Sequence, residues 1–353
     1  MEKLGVCMHG VTLTLEANHP PLLAYAAEHL NGLVEAPVAR PDLLVRCWWS
    51  QGKRNQAVNP FPTDGVLNVI GKRMLGNADE LIWLNTLRMQ GLQLRFSRQQ
   101  GQWVFDVSYS FHPKKDKLES LPEYAYTKYF SLMSYLVYYP LMWYLENFCG
   151  WMALHASALN SVHGGIIIGG LGGVGKTTTC VALLQRAGIE LIAENLIFTD
   201  GAFVYSCNEP IRLDEKSLEM LGDNPAGLIP MAFPEGLKKK WLFHLKSNQL
   251  SAKAKPAVLF LPQFAPQRYL MPLTAEIAAE RLVAVNRLTR ELDDYGWYAA
   301  ALDMTWPRPG QAGHRVQVLR QFAEQVRCFE LGVDRSAGVE AVVEDVFRTL
   351  SVT

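Results

Sequence analysis

The sequence predicts an α/β fold in its second half, with an N-terminal region of α+β character before it. Three observations carry this reading. In GGIIIGGLGGVGKTTTC, residues 164 to 180, a short β-branched run enters a glycine-rich loop that opens into a helix-forming run. IELIAE, residues 189 to 194, then reads as the next strand, and strand, loop, helix, strand is the unit from which α/β sheets are built. Before residue 125, short stretches such as VTLTLEA and WVFDVSYSF alternate β-branched or aromatic residues with polar ones, the pattern of half-buried strands. The chain has 353 residues, enough for two domains with separate cores, and 49% hydrophobic against 19% charged residues is a folded composition.

Taken in order, VTLTLEA, LLVRCWW, LQLRFSR and WVFDVSYSF are expected strands, PPLLAYAAEHLNGL has helical spacing, and SRQQGQ is a hairpin signal between the last two strands. FHPKKDKLESLPEYA, residues 111 to 125, is polar with two prolines and is the expected linker, which divides the chain into domains 1–125 and 126–353. YFSLMSYLVYYPLMWYL, residues 129 to 145, is nearly uncharged, but five tyrosines, a central Pro140 and no basic flank favour a buried, kinked helix over a membrane span. MALHASAL (152 to 159) reads as one strand and SVHGG as a turn; the helix from Lys176 to Ala187 is stopped by Gly188. LIFTDGAFVYSC is a hairpin turning at Asp200-Gly201.

Lys plus Arg (34) equals Asp plus Glu (34), so no global field favours nucleic acid or an anionic membrane. The six cysteines make no CxxC pair, which suggests reduced, mostly buried thiols, and the N-terminus lacks a signal-peptide pattern. Both point to the cytoplasm.

Gly170-Leu171-Gly172-Gly173-Val174-Gly175-Lys176-Thr177 fits G-x-x-x-x-G-K-[ST] at every position, and these residues with Thr178 are the expected nucleotide-binding set. Glycines let backbone N–H groups converge on phosphate oxygens, and the helix start directs its positive end at the same anion. In such a loop Lys176 reaches the β and γ phosphates and the Thr177 hydroxyl completes the shell of Mg²⁺, so ATP or GTP with Mg²⁺ is the expected ligand. No long apolar strand ends in the Asp or Asp-Glu of a motor or switch NTPase. The nearest acidic strand end is Glu194-Asn195, 18 residues beyond Lys176.

LHASAL with His155, the loop GGLGGVGKTT, and LIAEN followed by a hairpin and EPIRLD resemble, in that order, the HPr kinase/phosphorylase-like P-loop kinases, which are related in fold to phosphoenolpyruvate carboxykinase. The likeness covers roughly residues 150 to 215. His155 lies 15 residues before Gly170, the offset of an active-site histidine in that family. The resemblance implies Mg-ATP-dependent transfer of a γ-phosphoryl group to a hydroxyl, a serine on a protein or peptide. In that reading Lys176 neutralises the phosphates, Thr177 and Glu194 hold Mg²⁺, and Glu194 takes the acceptor proton with assistance from His155. The family's strand ends in Asp-Asp. Here Glu194 keeps one carboxylate, and Asn195 offers a metal only an amide oxygen. The alternatives are a nucleotide-binding regulatory protein without transferase activity and a small-molecule kinase. His155 is otherwise a hydrogen-bonded structural residue. Arg212 is either a charge clamp on the transferring phosphate or a surface ion pair with Asp214 or Glu215. The N-terminal domain is assigned to partner or acceptor selection, and a homo-oligomer is allowed by the resemblance alone. Lys238, Lys239 and Lys240 read as a solvated turn or as a contact for an acidic acceptor or phosphate, and Asp293 and Asp294 as surface charges.

Overall fold

The computed structural model describes residues 1–51, 60–62, 65–86, 89–112, 121–221 and 227–351. Residues 113–120 of the expected linker lie outside them. The chain divides into two units, each described by itself: Met1–Leu145 with Ala232–Gly236 and Asp294–Pro309, and Glu146–Met231 with Leu237–Asp293 and Gly310–Thr353.

The first unit contains one nine-stranded mixed sheet. Its strands are β1 (Glu2–Met8), β2 (Val11–Ala17), β3 (Val34–Glu35), β4 (Leu43–Gln51), β5 (Asn68–Gly71), β6 (Met74–Gly76), β7 (Glu80–Trp83), β8 (Leu92–Gln99) and β9 (Gln102–Phe111), in the spatial order β3-β1-β2-β4-β9-β8-β7-β6-β5. The β8–β9 hairpin closes through Gln100 and Gly101, both at positive φ (51° and 81°), the twist that matches the flanking strands. Helix α1 (Pro20–His29) and the helical run α2 (Leu121–Met133), Ser134–Tyr138, α3 (Tyr139–Tyr144) belong to this unit. Ser134–Tyr138 is a π-helical turn just before Pro140, which removes one backbone donor and widens the hydrogen-bond ladder there. Tyr138, Tyr139, Leu141 and Trp143 are buried, and among the described residues no helix is long and apolar enough to cross a membrane.

The second unit holds β10 (Met152–Leu154), β11 (Ala156–Ser161), β12 (Gly164–Gly169), β13 (Glu190–Ala193), β14 (Ile197–Thr199), β15 (Val204–Ser206), β16 (Ile211–Asp214), β17 (Leu228–Pro230), β18 (Lys240–Phe243), β19 (Lys253–Ala254), β20 (Pro256–Phe264), β21 (Tyr269–Leu273) and β22 (Arg327–Val333). Its helices are α4 (Lys176–Leu184), α5 (Glu215–Leu221), α6 (Ala275–Leu288), α8 (Gln311–Glu324) and α9 (Gly338–Leu350); between them α7 (Arg290–Thr305) starts in this unit, and its residues from Asp294 belong to the first. The principal sheet has the order β13-β11-β12-β20-β22-β21, with β12, β20 and β22 parallel; smaller sheets run β10-β14-β15-β19 and β16-β18-β17. The whole molecule is thus mixed α/β with several sheets.

Ile166 and Ile168 of β12 share a buried core with Cys180, Val181 and Leu183 of α4, Phe260 of β20 and Val342 and Val346 of α9. On the opposite face, a Cβ at Gly169 would lie 3.2 Å from Leu282 of α6. Helices therefore pack on both faces, and β12 delivers the chain to the sheet edge with almost no freedom of position.

Four local expectations change. MALHASAL is two strands in different sheets, because the chain breaks at His155. Helix α4 stops at Leu184 instead of Ala187. Its buried surface is also wider than the expected stripe of Val181, Leu183 and Leu184, since Thr178, Thr179, Cys180 and Ala182 are buried as well. Asp294, read as a surface charge, is 6% exposed.

Because Leu183 is fully buried under the loop-bearing strand, Leu183→Ala is expected to lower unfolding free energy by about 3 kcal/mol through the cavity it leaves. Denaturant titration of the two proteins measures this; a loss under about 1 kcal/mol would show that this core does not hold the strand–helix junction.

Candidate active site

The loop between β12 and α4 takes its shape from backbone conformations that a side chain would oppose. Gly170, Gly173 and Gly175 have φ of 126°, 85° and 90°. Gly175 is also the N-cap of α4, so Lys176 and Thr177 enter at the first turn of a helix whose N–H groups face the loop. The Lys176 ammonium folds back into the loop and donates to the carbonyls of Gly170 (2.9 Å) and Leu171 (2.8 Å). Only 6% of the residue is exposed. Burial pulls its pKa down to about 8, against the opposing pull of the Glu194 and Glu291 carboxylates.

The end of β13 brings Glu194 to the same place. The Thr177 hydroxyl donates to Glu194 Oε1, and the backbone carbonyl of Glu194 accepts from the Ser157 hydroxyl of β11. Burial raises the Glu194 pKa, while the Thr177 hydrogen bond and the charges of Arg212 and Lys176 oppose the rise. The neighbouring Asn195 donates from its side-chain nitrogen to Glu209 Oε2 at 2.8 Å. Burial also raises Glu209, again opposed by Arg212 and by Asn195.

His155 sits at the break between β10 and β11. Asn286 of α6 clamps that break, accepting from the His155 backbone N–H (3.1 Å) and donating to the Ala153 carbonyl (3.0 Å). Among the described residues neither imidazole nitrogen has a hydrogen-bond partner, although the residue is only 6% exposed. Burial, with the Lys176 charge adding to it, lowers its pKa to about 3, so the ring is neutral at physiological pH.

His155, Lys176, Thr177, Glu194 and Asn195 line one cavity of about 640 Å³ within the second unit, and Glu209 lies behind its wall. Of the positions singled out in the sequence, His155, Gly172, Gly173, Val174, Gly175, Lys176, Thr177, Thr178, Glu194, Asn195 and Arg212 reach its wall. Gly170 and Leu171 do not, but they supply the carbonyls that hold Lys176. Of the three adjacent lysines, Lys240 lines the cavity while Lys238 and Lys239 are exposed. Sequence reasoning passed over Glu209, although it stands in the quoted EPIRLD, and gave no role to Glu291 or Lys216. Glu209 had one available signal, an acidic residue three positions before Arg212 at a strand start.

The donor set suits Mg²⁺. Thr177 Oγ1 and the Glu194 carboxylate are hard oxygen ligands already in contact. Among the described residues no group of three His, Cys, Asp or Glu side chains forms a metal cage. Mg²⁺ bound through one or two protein oxygens and substrate phosphates requires none.

No family model matches this chain, and no curated protein matches it. Among solved structures, it is similar to the Hpr(Ser) kinase/phosphatase from Coxiella burnetii, at 13% identity over 35% of this chain and 77% of that one, with a TM-score of 0.21. A TM-score of that size does not establish a shared fold.

The depressed pKa of His155 predicts a pH dependence of stability. The unfolded ring, with pKa near 6.5, takes a proton that the folded ring refuses until about pH 3. Its contribution is therefore complete above pH 6.5 and falls by up to about 1.4 kcal/mol per pH unit below it. Denaturant titrations at pH 7 and 4.5 should show a smaller acid loss for His155→Gln than for the wild type; equal losses would contradict a neutral, buried imidazole.

Proposed function

We propose that the second unit is a P-loop phosphotransferase that moves the γ-phosphoryl group of Mg-ATP to a hydroxyl, most simply a serine on a protein or peptide acceptor. One observation carries the reading: Lys176, Thr177 and Glu194 converge in one cavity with an unpartnered His155. The Mg-nucleotide supplies the transferable phosphoryl group and the charge neutralisation between its phosphates.

In this reading the loop amides and the Lys176 ammonium bind the phosphate oxygens, and Lys176 exchanges its two carbonyl partners for them. The Thr177 hydroxyl and one Glu194 oxygen, now hydrogen-bonded to each other, are the groups that would hold Mg²⁺. The raised pKa of Glu194 makes it a competent acceptor for the proton of the attacking hydroxyl. Glu209, held by Asn195, supplies a second carboxylate beside it, so the amide at 195 is a strut for Glu209. Arg212, close enough to lower the pKa of both carboxylates, clamps charge on the transferred group. Neutral His155 offers an N–H to a phosphate or acceptor oxygen without adding a third cation.

Incubation with γ-labelled ATP, Mg²⁺ and host extract tests the reading. Label is expected on a serine, lost with Lys176→Ala and reduced by ~100-fold or more with Glu194→Gln. Glu194→Gln should keep measurable nucleotide affinity. Nucleotide binding without transfer to any acceptor would instead make the protein a nucleotide-dependent regulator.

Glu209→Gln distinguishes the proposed second carboxylate from a structural one. It preserves a side chain able to accept from Asn195, and it is expected to lower the transfer rate at least ~10-fold with little change in nucleotide affinity. An unchanged rate would remove Glu209 from the chemistry.

A further inference from the structure

The cavity has a flank that phosphate chemistry leaves unused. Strands β20 and β22 run parallel to β12, so their C-terminal ends reach the same sheet edge as the glycine loop. The order β13-β11-β12-β20-β22 puts Glu194, just after β13, on one side of the loop, and Phe264 and Val333, the last residues of β20 and β22, on the other. The Arg335 guanidinium lies over the Phe264 ring, 4.0 Å from its centroid. Phe264 is 44% exposed and borders the cavity together with Arg335, Val333 and Val339. An exposed aromatic ring bearing a planar cation, with apolar edges, is a stacking surface with nothing in the phosphate chemistry to explain it.

We propose that this flank is the base subsite: a nucleotide anchored at Lys176 stacks its aromatic base on the Phe264–Arg335 pair, with Val339 against the edge of the base. The inference rests on the nucleotide-binding reading above and adds a direction to it. The base lies toward β20 and β22, and the terminal phosphate points toward Glu194 and Arg212. The warrant is electronic as well as steric. The base presents a π-face to a guanidinium already stacked on an aromatic ring, which favours both dispersion and cation–π attraction.

The test compares Mg-ATP with inorganic tripolyphosphate plus Mg²⁺, which has the phosphates and no base, by calorimetric titration of the whole chain. Phe264→Ala is expected to weaken Mg-ATP binding ~10-fold and to leave tripolyphosphate within about 2-fold. Phe264→Leu, which keeps apolar volume but removes the π-face, should lose most of the same ATP affinity, and that separates stacking from a folding defect. Equal weakening of both ligands, or no weakening of ATP, overturns the subsite while leaving phosphate binding intact. Failure of the wild-type chain to bind either ligand overturns the nucleotide reading and the subsite with it.

Discussion

Burial of the Lys176 ammonium at the junction of β12 and α4 is the constraint on which the rest of the site depends. A cation taken out of water must be compensated, and here its hydrogen bonds go to two backbone carbonyls of the loop. Those carbonyls carry only partial charges, so the pKa still falls to about 8. The glycines at positive φ, the helix N-terminus and the neighbouring carboxylates all follow from the same requirement. The loop must curl tightly enough to hold the ammonium against the carbonyls of Gly170 and Leu171. The shifts of Lys176 and Glu194, one lowered and the other raised, have burial as their common cause.

The scaffold meets that requirement by immobilising what surrounds the loop. Ile166 and Ile168 tie β12 to α4 and α9, while Asn286 and Ser157 hold the two ends of the neighbouring strands where His155 and Glu194 emerge. Each of these contacts joins residues far apart in the chain. The site is therefore a property of the folded unit, and a local glycine motif accounts for only its centre. The orphaned imidazole of His155 shows the cost of that placement, since a buried polar ring without a partner is disfavoured unless another group completes it.

What could be read from the sequence divides along the same line. The strand, glycine loop and helix were legible because periodicity, φ requirements and capping are local, and so were the hairpins at Gln100-Gly101 and Asp200-Gly201. Glu194 was legible as an acidic residue at a strand end close to the loop. The break at His155 was not, because it is enforced by Asn286, 131 residues away. The Asn195–Glu209 contact and the Phe264–Arg335 pair were equally hidden: the first depends on the path of the chain between the β14–β15 hairpin and β16, the second on the parallel pairing of β20 and β22. Nor does any local pattern announce that Asp294–Pro309 belongs to the first unit and that Asp294 is buried.

The most direct measurement of the central claim is the proton balance of nucleotide binding. Near pH 8 the free Lys176 is about half protonated, and phosphate contact should return it to the charged form. Calorimetric titration of Mg-ATP at that pH in buffers of different ionisation enthalpy should then give heats that vary with the buffer and report uptake of about half a proton per site. Lys176→Arg, always charged, should abolish the dependence. Binding with no proton uptake in the wild type would contradict the account, because the buried ammonium would not be the group that waits for the phosphate.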